Sequence, residues 1–372
     1  MNNILYVGMD VHTTNFTLAT FSIGDEKARF VHTVAPDYKQ VLLYLEMVRT
    51  KVAGLNGNVD FICGYEAGCL GYTLYHQLTD HNVKCVILAP TTMLLPQGKR
   101  VKTDKKDAEL IAKCLAYRTY REVYIPTAED NSVKEFIRMR DDHKTALKKI
   151  KQQILAFCLR NGFSYTDGTN WTGKHLKWLK NLRMNGLLQE VLEEYLLTYV
   201  TLADKIERLD QRIEELAELE CYAEKVSRLR CFLGVETRTA LGILVEIGDF
   251  NRFSNATKFA SYIGLVPGED SSGEKQHHLG ITKAGNSNVR RLLVEASQAF
   301  TRGRPGHISK RLKARQQGIS PAILTYANKA NERLRRKFYK MTYRGVKRNV
   351  AVTATARELA CFMWGMMTDH TA

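Results

Sequence analysis

Residues 4–18 read ILYVGMDVHTTNFTL: an apolar, partly β-branched run carrying one carboxylate, Asp10, then a short turn, then a second run starting at Phe16-Thr17-Leu18. Such a run reads as a buried strand, and an unpaired carboxylate there costs several kcal/mol, on the order of 2–7 for a polar group and more for a charge, unless a cation or proton meets it. Asp10 therefore has either chemical work to do or a local role, capping the turn at the strand end near Gly8. Other carboxylates decide between these.

Working outward, residues 4–90 alternate strand and helix patterns. Residues 4–9 and 16–21 read as a hairpin, 29–34 as a third strand, 59–64 as a short apolar strand ending at Tyr65-Glu66, and 84–88 as a further strand before Pro90. Residues 38–52 have helical periodicity through Val41, Leu42, Tyr44, Leu45 and Val48, and 72–78 suggest a second helix. This order predicts a mixed α/β sheet whose early strands are antiparallel. After a polar, basic stretch at 97–103, a helix starts at Asp104 and runs through Leu110, Ile111, Cys114 and Leu115.

Asp104 and Asp107 are three residues apart, so they share one face of that helix's first turn. Acids at a helix start are also an ordinary capping arrangement. Taken with Asp10 and Glu66 at strand ends, the four carboxylates form a set of hard oxygen donors suited to divalent cations, the arrangement used to cut phosphodiesters. Lys99, Arg100, Lys102, Lys105 and Lys106 surround the pair, as a polyanionic substrate favours. His12, two residues beyond Asp10, is expected on the same side of the strand, either contacting phosphate or packed.

The middle of the chain is helical. Residues 131–158 carry an apolar stripe, residues 161–178 interrupt it with breakers and aromatics, and Leu192, Tyr195, Tyr199, Leu202, Ile206, Leu209, Ile213 and Leu216 then alternate steps of three and four. That spacing predicts a coiled coil, either a hairpin with the 131–158 helix or a dimer seam. From Leu229 the pattern becomes globular again. Leu233-Gly234-Val235 followed by residues 239–247 resembles a helix-hairpin-helix DNA module, although the turn lacks the glycine-x-glycine that brings backbone close to phosphate. Residues 265–273, LVPGEDSSG, form a loop of small residues, and basic helices follow it to Arg348.

Charge is unevenly placed. The chain of 372 residues has a net charge of +16, and residues 286–350 hold 17 Lys and Arg against Glu295 and Glu332 alone. A block of this kind reads first as a phosphate-binding surface, with a solvated face as the alternative. Arg290, Arg291, Arg333, Arg335 and Arg336 are its candidate contacts. The eight cysteines are scattered without a C-x-x-C pair, which argues against a zinc site or disulfide framework. No apolar run approaches the ~20 residues of a membrane span, and the start MNNI lacks a secretory signal's features, so a cytoplasmic protein with no membrane partner is expected.

Four motifs in this order, GMDVH at 8–12, YEAG at 65–68, KTDKKDA at 102–108 and the late PGEDSSG loop at 267–273, resemble the IS110 family of insertion-sequence transposases and its relative, the Piv DNA invertase. The resemblance covers almost the whole chain. It implies a RuvC-like domain of the ribonuclease H fold over residues 1–128, a helical coiled-coil arm over 129–225, and a mainly helical transposase domain over 226–372, so α/β plus all-α. It implies an acidic tetrad at Asp10, Glu66, Asp104 and Asp107 that binds Mg2+, and a serine nucleophile at Ser272, with Ser271 as the alternative. It further implies donor and target DNA and a non-coding guide (bridge) RNA as partners, and a homodimer or tetramer. Near the serines, only His277 and His278 are at hand as local bases, so activation by the metal-bound acids is attractive. A metal-dependent, junction-resolving nuclease is the competing function, with the serine loop only binding. A non-catalytic scaffold has no use for four converging acids.

Overall fold

The computed structural model describes residues 3–53, 59–68, 70–93, 103–269 and 278–370. They form two compact units, Met1–Ile125 and Pro126–Ala372.

The first unit is a five-stranded mixed sheet. Its elements are β1 (Asn3–Val11), β2 (Phe16–Phe21), β3 (Arg29–Val34), α1 (Tyr38–Ala53), β4 (Val59–Glu66), α2 (Thr73–Asp80), β5 (Lys84–Leu88) and α3 (Asp104–Tyr117). The sheet order is β3-β2-β1-β4-β5, with β1, β2 and β3 antiparallel and β4 and β5 parallel to β1. Both faces of the central strands are covered, which is why β1 reads as a continuous apolar run rather than an alternating one. Leu5, Val7 and Met9 of β1, with Phe61, Cys63 and Tyr65 of β4, pack against Val41, Leu45 and Val48 of α1 and Leu74 and Leu78 of α2. The opposite face carries Tyr6, Gly8 and Asp10, and α3 lies on it.

The second unit is helical. It comprises α4 (Ala128–Arg160), α5 (Gly173–Asn181), α6 (Leu187–Ala217), α7 (Glu220–Leu229), α8 (Thr237–Ile247), α9 (Ala256–Tyr262), a two-stranded ribbon β6 (Pro267–Glu269) and β7 (His278–Ile281), α10 (Ser287–Ser297), α11 (Lys310–Arg315), α12 (Pro321–Tyr343) and α13 (Arg348–Met367). The stripe on α6 is used within the chain: Phe157 of α4 meets Tyr195, and Arg140 of α4 holds Asp210 through two hydrogen bonds of 2.6 and 2.7 Å, so the two long helices run antiparallel. Residues 161–186 close the far end of this pair, where Thr172 caps α5 and buried His175 sits among Tyr165, Trp171 and Trp178.

The helix-hairpin-helix reading of residues 233–247 is corrected. The helix–turn–helix pair exists, as α7 and α8, but its turn faces protein. Leu233 N–H donates to the Asn331 side chain at 2.8 Å, and Asn331 and Gln316 both donate to the Cys231 carbonyl. A Cβ on Gly234 would lie 2.2 Å from the Ala296 carbonyl oxygen, so the turn is seated against α10 with no room for phosphate. No described helix is long and apolar enough to cross a membrane.

Candidate active site

The site is set by a helix that comes unusually close to a strand. A Cβ built on Gly8 would fall 2.1 Å from the Ala108 carbonyl oxygen and 2.3 Å from the Ala112 amide nitrogen, so only glycine permits this approach of α3 to β1. Ala108 and Ala112, both fully buried, are the small residues on the helix side. Four residues before Ala108 on the same helical stripe is Asp104; two residues beyond Gly8 on the same strand face is Asp10. Four helical residues rise about 6 Å and two strand residues about 6.6 Å, so close packing at Gly8 brings the two carboxylates level.

They do meet. Carboxylate oxygens of Asp10 and Asp104 and a ring nitrogen of His12 lie within 4.8 Å of one another, close enough to share one cation. His12 Nε2 is 3.3 Å from Asp10 Oδ2, which places His12 on the side of the strand expected from its two-residue spacing. Burial first, and then the charges of Asp104 and Asp107, push the Asp10 carboxyl above its usual range, while His12 pulls it down. A carboxylate crowded by two others is a group that a divalent cation would relieve.

Glu66 ends β4. Its predecessor Tyr65 is in register with Met9, so Glu66 is carried beside Asp10 on the same face of parallel neighbouring strands. The loop that follows is held by Tyr65, whose hydroxyl donates to the Gly71 carbonyl and accepts from Tyr75 N–H, and by Ala67 N–H donating to the Leu88 carbonyl at 2.9 Å. Asp107 lies in the first turn of α3, where Thr103 caps the helix by accepting from Lys106 N–H. Lys105 and Lys106 are exposed on that turn.

Lys102, Ser271, Ser272 and His277 lie outside the described residues. What the structure defines is the frame around the serine loop. Pro267 pairs with Ile281 and Glu269 with His278. At its base Gly264 (φ +67) and Gly285 (φ +73) cross: a Cβ on either would strike the Ala284 or Tyr262 carbonyl oxygen at 2.2 and 1.8 Å. Arg290 Nη1 donates to the Ile263 and Ala284 carbonyls at 2.8 and 3.2 Å, locking both sides of this base. Asn286 caps α10 and also donates to Glu246, which further accepts from Asn288 and, through two bonds of 2.8 and 3.0 Å, from Arg138 of α4.

The five late arginines singled out as nucleic-acid contacts thus divide. Arg290 is used on backbone carbonyls, and Arg291 pairs with Asp141 and Glu295. Arg335 is only 7% exposed and donates to the Arg304 and His307 carbonyls at 2.7 and 2.8 Å, so it clamps a loop. Arg333 and Arg336 are exposed, at 68% and 69%, and pair with Glu358 and Glu332 respectively. Sequence reasoning missed Gly8, Glu246 and Asn286; a glycine within an otherwise apolar strand was the available signal for the first.

Two family models match. Residues 7–163 match a transposase model named for the DEDD domain of IS110, and residues 226–313 match the IS116/IS110/IS902 transposase family. The chain is 35% identical, over 82% of its length and 75% of the relative's, to a Sinorhizobium fredii protein named as a transposase, y4qE. It is 30% identical, over 91% of its length and 96% of the relative's, to the transposase for insertion sequence element IS1533 of Leptospira borgpetersenii. It is 28% identical to the pilin gene-inverting protein of Moraxella bovis, over 66% of this chain and 68% of that one. With an acidic cluster assembled on a mixed sheet and these matches across both units, the chain belongs to the IS110/IS116 family of insertion-sequence transposases.

Proposed function

We propose that this transposase breaks and rejoins DNA through a covalent link to Ser272, with Asp10, Glu66, Asp104 and Asp107 holding Mg2+ and a non-coding guide (bridge) RNA selecting donor and target DNA. The observation that carries the reading is the convergence of Asp10, Asp104 and His12 on one cation-sized space, in a carboxylate set whose mutual repulsion a divalent ion would offset. A bound divalent cation supplies phosphate polarisation and a lowered barrier to deprotonating a hydroxyl. The chain's own part is as follows. The Ser272 hydroxyl oxygen forms a bond to phosphorus, the bond from phosphorus to one deoxyribose oxygen breaks, that oxygen takes up a proton, and the serine proton passes to a general base. Reversal with a different DNA hydroxyl rejoins the strand. Lys105, Lys106, Arg333 and Arg336 are the exposed candidates for phosphate contact, joined by Lys102; Arg290, Arg291 and Arg335 act on the protein's own frame. Action as a homodimer or tetramer in the cytoplasm, and the RNA guide, rest on the family resemblance.

The test is a denaturation-resistant adduct between protein and a labelled DNA end. It is expected from the parent and from Ser271→Ala, and not from Ser272→Ala or Asp10→Asn. An adduct surviving in Ser272→Ala, or mapping to Ser271 or Tyr262, refutes the serine assignment. Active parent protein that cuts DNA without any adduct favours a metal-dependent junction nuclease instead; the grouping of Asp10, His12 and Asp104 within one unit is what keeps that second reading in play.

A further inference from the structure

The outward face of α12 carries a continuous stripe at steps of three and four residues: Ala322, Thr325, Lys329, Arg333, Arg336, Lys340 and Tyr343. Its two halves differ in chemistry. The first half forms one wall of an open groove of about 810 Å3 between α12 and α13, with Tyr326, Phe362 and Trp364 as aromatic lining, Lys329 and Arg333 at the rim, and Glu358 beneath them. The second half is a row of cations, about one per 5.4 Å turn, continued past the helix end by exposed Arg344 and Lys347. Lys329 and Arg333 belong to both, so groove and row are one surface.

The groove is built by specific packing. Tyr326 donates its hydroxyl to the Phe362 carbonyl at 3.1 Å and meets the Phe362 ring edge-on at 5.7 Å. It can settle there because position 365 is glycine: a Cβ would lie 2.4 Å from the tyrosine oxygen. Trp364 is anchored by Nε1 donating to the Phe250 carbonyl, and exposed His370 stacks on it at 5.0 Å. Glu358 does not make the groove acidic, since Arg333 and Lys337 both pair with it and, against its burial, hold its carboxyl below the usual range. Lys329, Lys340, Arg344 and Lys347 have no ion-pair partner among the described residues. Tyr343, at 95% exposure, is a large aromatic presented fully to solvent at the end of the row.

We propose that this surface holds an unpaired DNA strand, with phosphates along the α12 cations, one base in the aromatic groove and another stacked on Tyr343. The row alone would suit any phosphate backbone. The groove and Tyr343 select a single strand, because bases inside a duplex are stacked on each other and cannot enter an aromatic slot, whereas unpaired bases stack on aromatics without regard to sequence. The inference rests on the reading of the chain as a DNA-strand recombinase, whose broken ends present such strands.

Binding of the full chain to a labelled twelve-nucleotide DNA strand, the same sequence as duplex, and its RNA counterpart tests this by fluorescence anisotropy over a salt series with chelator present. The triple change Lys329→Ala, Lys340→Ala, Arg344→Ala is expected to weaken single-strand binding roughly tenfold or more and to reduce the salt slope by about 2, at ~0.7 per lost contact. Tyr343→Ala, at a position whose exposure leaves the fold intact, is expected to cost about fivefold or more on the single strand and nothing on the duplex. Bromouracil in the strand should crosslink to peptides containing Tyr326, Phe362 or Tyr343. An equal loss on duplex and single strand from Tyr343→Ala, tighter binding of the RNA, or the same loss from removing Lys174, Lys177 and Lys180 on α5 overturns the proposal. Failure of the recombinase reading is distinguishable, since it appears as absent DNA cleavage by the parent at any single-strand affinity.

Discussion

Gly8→Ala is the smallest change that should dismantle the acidic site without touching an acid. The added Cβ would sit 2.1 Å from the Ala108 carbonyl oxygen and 2.3 Å from the Ala112 nitrogen, against an ordinary contact of 3.4 Å or more. The obstructing atoms are helix backbone, which cannot swing aside as a side chain can, so α3 must lift from β1 by about 1 Å. Asp104 and Asp107 ride on that helix and Asp10 on that strand, so the carboxylates separate by a similar amount. Overpacking of this kind costs about 1–3 kcal/mol of stability, which leaves most of the protein folded, whereas a misplacement of about 1 Å costs on the order of 100-fold in rate. Gly64→Ala on the neighbouring strand is the comparison: its Cβ would meet only the methyl ends of Leu115 and Leu88 at 2.8 Å, which can shift by rotation. The assays are urea unfolding, for stability, and single-turnover cleavage of a labelled insertion-sequence end. Gly8→Ala should lose roughly 100-fold in cleavage while still unfolding cooperatively, and Gly64→Ala should lose about tenfold at most. Parent-like cleavage by Gly8→Ala, or equal losses in the two variants, would refute the claim that this close approach sets the site.

Other consequences follow from individual charges. Asp10→Asn should abolish cleavage and leave stability at neutral pH equal to or above the parent's: the raised carboxyl titration marks the ionised form as a cost to the fold, which the amide removes. Loss of folding with activity would instead make Asp10 a structural cap. Asp141 is the opposite case: burial acts to raise its carboxyl, but Arg238, Arg291 and Arg140 outweigh this and hold it below the usual range. Its stabilising contribution is therefore present above pH ~4 and lost as pH falls through the lower folded value. Asp141→Asn should cost about 3 kcal/mol at pH 7, and the gap to the parent should narrow in urea titrations below pH 4; a gap independent of pH contradicts the linkage. Arg335→Ala should destabilise by about 2–4 kcal/mol, because the Arg304 and His307 carbonyls lose a charged donor, while exposed Arg336→Ala changes stability by no more than about 0.5 kcal/mol. Comparable denaturant midpoints for the two would return Arg335 to the surface.

The sequence by itself determined what depends on near neighbours. The apolar run through Asp10, the order of strands and helices to Leu115, the shared turn of Asp104 and Asp107, and the three-four stripe on α6 are all set by periodicities of two and 3.6 residues that a linear reading can count. The placing of Glu66 at a strand end was legible for the same reason. Only tertiary structure decided what depends on partners distant in the chain. Nothing local distinguishes Arg335, buried on carbonyls 28 and 31 residues away, from Arg336, exposed one position later. Likewise Glu246 gathers Arg138, Asn286 and Asn288 from across 108, 40 and 42 residues, and the turn at Gly234, which resembles a DNA-binding hairpin without its glycine-x-glycine, is seated against α10. Gly8 stands between the two cases. A glycine inside a strand can mark the close approach of another backbone, a signal the linear reading did not use; that the neighbour is α3, bringing Asp104 level with Asp10, is fixed by helix-on-sheet packing, in which a single missing methyl group sets the spacing of the whole site.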